Sequence, residues 1–151
     1  MLRRIIAFVV AATVLVVIGS SAQSYLVQER WSVAAGQANG GPPTALPFLD
    51  RITWASHDFA GTLTSYGALT AGTLLGSLLI AGAMARYSGR RVMVFGITSA
   101  LGILTLFTLL RRILGTVGIF GARGVTGLAA QMAIAAAAGV LFAVLTRSRA
   151  K

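Results

Sequence analysis

Four stretches of this 151-residue chain are long and apolar enough to cross a membrane, and this limits every other choice the fold can make. A span needs about 20 mostly apolar residues to cover a hydrocarbon core of roughly 30 Å. The first stretch runs from Ile5 to about Val27, although its strictly apolar part stops at Gly19 and Ser20, Ser21, Gln23 and Ser24 follow. The second, Phe59 to Met84, is the longest. The third, Val92 to Leu110, lies between Arg91 and the pair Arg111 and Arg112, and the fourth runs from about Gly124 to Thr146. The expected fold is an all-α integral membrane bundle of four transmembrane helices, a single membrane domain over residues 1–151. An alternative applies to the first stretch alone. Arg3 and Arg4, a short apolar run and Ser20, Ser21, Ala22 also fit a secretory signal peptide, whose removal would leave three spans and an outer N-terminus.

Charge sets the orientation. Thirteen Lys and Arg face three acids, a net charge of +10, in a chain that is only 11% charged where a soluble domain carries about 25%. Long apolar runs separate these charges, whereas a nucleic-acid binder would spread them over one polar face, so no nucleic-acid partner is expected. Cytoplasmic loops near the spans carry the basic excess. With the N-terminus inside, Arg3, Arg4, Arg86, Arg90, Arg91, Arg147, Arg149 and Lys151 lie on the inner side. Arg30, Arg51, Arg111, Arg112 and Arg123 lie outside, together with the three acids Glu29, Asp50 and Asp58. Eight against five places both termini in the cytoplasm of a bacterial-type inner membrane, with a multi-pass topology.

The long outer connection, residues 28–58, opens with Gly36, Gly40, Gly41, Pro42 and Pro43 and is expected to be irregular there. After Pro47 the pattern becomes helical: Phe48, Ile52, Ala55 and Phe59 share one side, and Asp50, Trp54 and His57 the other. This predicts a short outer interfacial amphipathic helix, with Trp54 at headgroup depth, that feeds straight into the second span. Between the third and fourth spans, glycine recurs at 115, 118, 121, 124 and 127. The residues between are not Pro-rich, which excludes a collagen repeat and predicts a turn that leads into the fourth helix.

On the second span Asp58, Thr62, Tyr66, Thr70, Thr73 and Ser77 form a polar stripe, and Gly72 and Gly76 beside it make a close-approach GxxxG pair. On the fourth, Arg123, Gly127, Gln131, Ala135 and Gly139 recur every fourth residue, and the third adds Thr98, Gly102 and Thr105. Two explanations compete. Small residues and hydroxyls are what membrane helix interfaces use, so Gly72, Gly76, Gly127, Ala135 and Gly139 read as packing positions. The sharper alternative is a narrow polar cavity with Asp58 at its mouth and Gln131 at mid-depth. Either way Gln131 must face another helix, since an unpaired amide in hydrocarbon costs several kcal/mol. Asp58 and Arg123 begin two spans on the same side and are expected to form an ion pair. Arg111, Arg112 and Arg123 are candidate contacts for anionic lipid headgroups, against the plainer role of snorkelling to the interface.

Little is left for chemistry. With no Cys there is no disulfide, thiolate nucleophile or Cys-ligated metal, and the single His57 falls short of a metal site. Ser56, His57 and Asp58 are consecutive, so on a helix their side chains diverge by about 100° and cannot form a relay. No phosphate loop or dinucleotide fingerprint is present, and no cofactor is expected. The expected role is a non-enzymatic accessory or assembly subunit whose partners are membrane lipid and other transmembrane helices, in a homo-oligomer or a larger membrane complex. The alternative is a small oligomeric transporter or channel for a solute, ion or lipid that uses the polar stripe. A lipid enzyme acting through His57 and Asp58 ranks last.

Overall fold

A computed structural model describes residues 1–43, 46–62, 66–115 and 124–147. Its regular elements are five helices: α1 (Leu2–Ala38), α2 (Phe48–Thr62), α3 (Ala68–Ser88), α4 (Arg91–Leu114) and α5 (Val125–Leu145). Four of them, α1, α3, α4 and α5, are long and apolar enough to cross a membrane, which marks the chain as a candidate multi-pass membrane protein. Only 28–33% of the residues in their most apolar windows are buried within the chain, so most of that surface faces outward, as lipid-exposed helices require.

α1 continues well past the expected end of the first span. Its 37 residues reach about 55 Å, longer than a hydrocarbon core is thick. Hydropathy marks where the apolar composition stops, whereas the helix stops only at a breaker. The residues after Gly19 hold no Pro before Pro42, and Ser20, Ser24, Gln28, Ser32 and Gly36 recur every fourth position as the buried stripe. The helix ends where Gly40, at φ +65°, lets Gly41 N–H reach back to Gly36 O at 3.0 Å and Gly40 N–H to Gln37 O at 3.2 Å. The outer connection therefore begins near Asn39 rather than at residue 28, and Gly36, expected in its irregular part, is still helical.

Of the stretch expected as one span from Phe59 to Met84, the structure describes two helical parts, and residues 63–65 between them lie outside the described residues. α2 ends at Thr62 and α3 begins at Ala68. α2 starts one residue after Pro47, whose carbonyl accepts from Arg51 N–H at 3.1 Å. It lies against α1: Gln28 Nε2 donates to Arg51 O at 3.1 Å, and Arg51 pairs with Glu29 at 3.7 Å. Trp54, which the spacing sets beside Asp50 and His57, meets Trp31 of α1 with ring centroids 5.7 Å apart. Phe48 and Ile52, from the expected apolar side, stay 75% and 51% exposed.

The four long helices form a ring. α5 lies between α4 and α1, α4 between α5 and α3, and a lighter contact between α1 and α3 closes the circuit. α3 and α4 are joined by only Gly89 and Arg90, which Gly89 permits by taking φ +63°. At one end Arg3 donates through Nε to Leu145 O and through Nη2 to Arg147 O, both at 2.8 Å. That puts a guanidinium on the carbonyls at the C-terminal, negative end of α5. Arg91 Nη2 donates to Thr146 Oγ1 at 2.6 Å, so the first turns of α1 and α4 meet the last turn of α5.

Candidate functional site

The best-defined polar feature inside the ring centres on Gln131. It is 2% exposed and spans two neighbours: Nε2 donates to Gly19 O of α1 at 2.9 Å, and Oε1 accepts from Tyr66 Oη at 2.6 Å. A backbone carbonyl can only accept, so the amide nitrogen must face Gly19 and its oxygen Tyr66. Gly19 makes the approach possible. A Cβ there would lie 2.8 Å from Tyr66 Oη and 3.0 Å from Gln131 Oε1. Tyr66 itself is 3% exposed and stands two residues before α3.

Along α1 the polar character extends from this junction toward the end of the helix. Ser20, Gln23, Ser24, Gln28 and Ser32 are all buried. Gln28 is partnered by Arg51 O and, more weakly, by Ser24 Oγ at 3.4 Å, and Ser32 donates to Glu29 O at 2.8 Å. Ser20 Oγ and Gln23 Oε1 are buried with no partner among the described residues. Sequence reasoning treats these residues as the fading end of a span or as a cleavage region. The signal that would have found them is the four-residue spacing of Gly19 and Gln23 beside Ser20, Ser24, Gln28 and Ser32.

The stripe expected on the second span behaves differently along its length. Thr70 and Ser77 are buried, yet each hydroxyl donates one turn back, to Tyr66 O at 2.7 Å and to Thr73 O at 2.8 Å. Thr73 does the same to Leu69 O at 2.8 Å. Tyr66 alone of this described set reaches Gln131. The side chains of Asp58 and Thr62, and all of Arg123, lie outside the described residues, and with them the expected Asp58–Arg123 pair.

The packing glycines divide in two groups. Gly127, Ala135 and Gly139 are buried on α5, and Gly139 abuts Phe95 O and Ser99 of α4 so closely that no Cβ would fit. Gly72 and Gly76 face open space, on the side of α3 away from the buried Thr70, Leu74, Ser77, Leu78 and Ala81. Arg111 and Arg112 are exposed in the last turn of α4. His57 is exposed on α2, and Ser56 Oγ donates to Thr53 O at 2.8 Å, away from its neighbour. Among the described residues no three His, Asp or Glu side chains gather to hold a metal ion.

No protein-family model matches the chain, and no curated protein or solved structure does.

Proposed function

We propose that the protein is a small non-enzymatic accessory or assembly subunit of a bacterial-type inner-membrane complex, with both termini cytoplasmic, acting through helix packing and contact with lipid. One observation carries the reading. α3 is a member of the ring whose far side presents Gly72 and Gly76 to open space, the backbone-level surface that a neighbouring transmembrane helix needs for close van der Waals contact. Glycine on a lipid-only face has no such use and costs about 1 kcal/mol of helix propensity relative to Ala. The basic residues support the orientation, since Arg3, Arg91 and Arg147 gather at the end where α1 begins and α5 ends. α2, with Phe48, Leu49 and Ile52 exposed, fits an outer interfacial position.

The test is the native mass of the protein extracted from its own membrane in mild detergent. A stoichiometric second polypeptide, lost on Gly72→Leu with Gly76→Leu, is the expected result. A clean multiple of the 15.6 kDa chain, unaltered by that double variant, overturns it.

A second reading, a small oligomeric transporter or channel, is favoured by the unpartnered Ser20 Oγ and Gln23 Oε1 beside Gln131. Buried polar atoms normally find a partner or an ordered water, so this seam is the place where a small polar solute would be accommodated. The candidate stripe on α3 contributes less, because its hydroxyls are spent on their own helix. Liposome flux that Gln23→Leu leaves unchanged would exclude the seam as a path.

A further inference from the structure

At the end of the ring where α1 begins and α5 ends, Gly89, Arg90, Arg91, Val92, Met93, Ala143 and Arg147 line a pocket of about 340 Å³. Arg90, Arg91 and Arg147 all line this one small space, and no Asp or Glu is among its lining residues. Glu29 lies 26 positions along α1 from Arg3, and Asp50 and Asp58 belong to α2, whose contacts with α1 run from Gln28 and Trp31 at Arg51 and Trp54 to Ala12 and Val17 beside Phe59. Arg3, at the same end of the ring, is already bonded to the carbonyls that end α5. Among the described residues, the positive charge of Arg90, Arg91 and Arg147 has no carboxylate partner.

Arg91 is held for a purpose its own helix does not explain. Nη2 is anchored on Thr146 Oγ1 at 2.6 Å, Thr146 Oγ1 is itself anchored on Phe142 O at 2.7 Å, and the guanidinium carbon sits 5.2 Å from the centre of the Phe95 ring. Phe95 in turn stacks on Phe142, with centroids 5.6 Å apart. A guanidinium fixed at one corner and against one face still has donors to offer, and its Nε is buried with no partner. The first turn of α4 adds its positive end to the same pocket, with no acidic residue and no side-chain cap to satisfy it. The lining combines Arg90, Arg91 and Arg147 with the apolar Val92, Met93 and Ala143.

We propose that this pocket binds a phosphate ester, with the Arg91 fork and the free N–H groups of α4 on the phosphate oxygens, Arg90 and Arg147 beside them, and the apolar part against the ester's carbon chain. The planar fork matches phosphate geometry, and the apolar wall and the exposed apolar helices alongside favour an anionic phospholipid over a soluble ester. The choice of lipid as the source rests on the membrane reading; the anion chemistry does not.

The experiment is native mass spectrometry of the full chain in non-ionic detergent, titrated separately with dioleoyl phosphatidylglycerol, dioleoyl phosphatidylcholine and glycerol 1-phosphate. Phosphatidylglycerol is expected to be retained about tenfold more strongly than phosphatidylcholine, and Arg91→Gln to remove about tenfold of that. Arg51→Gln, the same charge change on α2 far from the pocket, leaves retention unchanged. Should Arg91→Gln lose its fold along with its Thr146 bond, Arg90→Gln with Arg147→Gln provides the same test on two exposed side chains. Binding of glycerol 1-phosphate with the same arginine dependence keeps the site and makes its ligand a soluble ester. Equal retention of both lipids, or variants that retain phosphatidylglycerol as the parent does, overturns the proposal. A chain that stays dispersed without detergent sinks the membrane reading, while the glycerol phosphate titration still tests the pocket.

Discussion

α5 is joined to its two neighbours by opposite means. Against α4 the contact rests on close packing and is dry in having no bridging amide: Gly139 lies on Phe95 O and on Ser99, whose buried Oγ has no partner among the described residues, a Cβ at Gly96 would stand 3.0 Å from Val140, and Phe95 stacks on Phe142. Against α1 the contact turns on an amide, with Gln131 bonded to Gly19 O and to Tyr66. Lipid tails are as apolar as Leu, so burying Leu between helices gains little in a membrane. What remains is close van der Waals contact, which glycine allows, and hydrogen bonds that hydrocarbon cannot replace. α5 uses one device on each side, and the two should fail differently.

The dry side should fail hardest. In Gly139→Val the new Cβ meets a backbone carbonyl, which no rotamer change can move, and the helices must separate. We expect a loss of about 3 kcal/mol or outright failure to fold, read by denaturant unfolding in detergent. A transition like that of the parent would mean that α4 and α5 do not approach as described. The amide side should lose less. Gln131→Leu removes two hydrogen bonds and strands a buried phenol, for about 2 kcal/mol, and Tyr66→Phe alone costs about 1 kcal/mol. The double variant should cost less than the sum, because Tyr66 has nothing left to lose once Gln131 is gone. Strict additivity would show that the two side chains do not meet.

These two contacts were unequally legible in the sequence. α4 and α5 follow directly from apolar runs bounded by Arg91 and by glycines at 115 and 124, and the observed helices differ from the expected spans by only a few residues. That Gln131 must face a helix follows from the cost of an unpaired amide, but its partners do not. Gly19 O is a backbone atom that no pattern advertises, and Tyr66 belongs to a stripe whose other described hydroxyls turn back on their own helix. The long reach of α1 was hidden for a related reason. Its buried face after Gly19 is Ser and Gln, so a search for apolar periodicity ends where the polar seam begins. α2 was legible as an amphipathic helix whose apolar Phe48 and Ile52 stay exposed, but its contact with α1 through Trp54 and Trp31 was not, because the expected first span ends before Trp31.

A third break lies further along α1, where the contact with α2 is polar and partly exposed. Gln28→Leu removes the bond to Arg51 O and should cost about 1 kcal/mol. The exposed Arg51–Glu29 pair adds little. Hydrogen exchange should quicken in α2 while α4 and α5 keep their protection, since the loss is local. Uniform quickening across all helices would show that α2 is part of the main cooperative unit, and the contrast between dry and polar contacts would then matter less than ring closure.

The smallest effect on the chain itself is the one that tests its role. Gly72 and Gly76 have the spacing and chemistry of a tight helix contact, as Gly139 does, yet a Cβ at either meets nothing within 4 Å. Leu at both positions should therefore change unfolding of the isolated chain by no more than about 0.5 kcal/mol, or stabilise α3 slightly through better helix propensity. If these glycines await a partner helix, the same double variant should abolish the larger native mass while leaving the unfolding curve in place. Gly139→Val cannot separate the two, because it breaks the chain's own fold first. A stability loss at Gly72 and Gly76 comparable to that at Gly139 would place an intramolecular neighbour on that face and remove the main support for an assembly role.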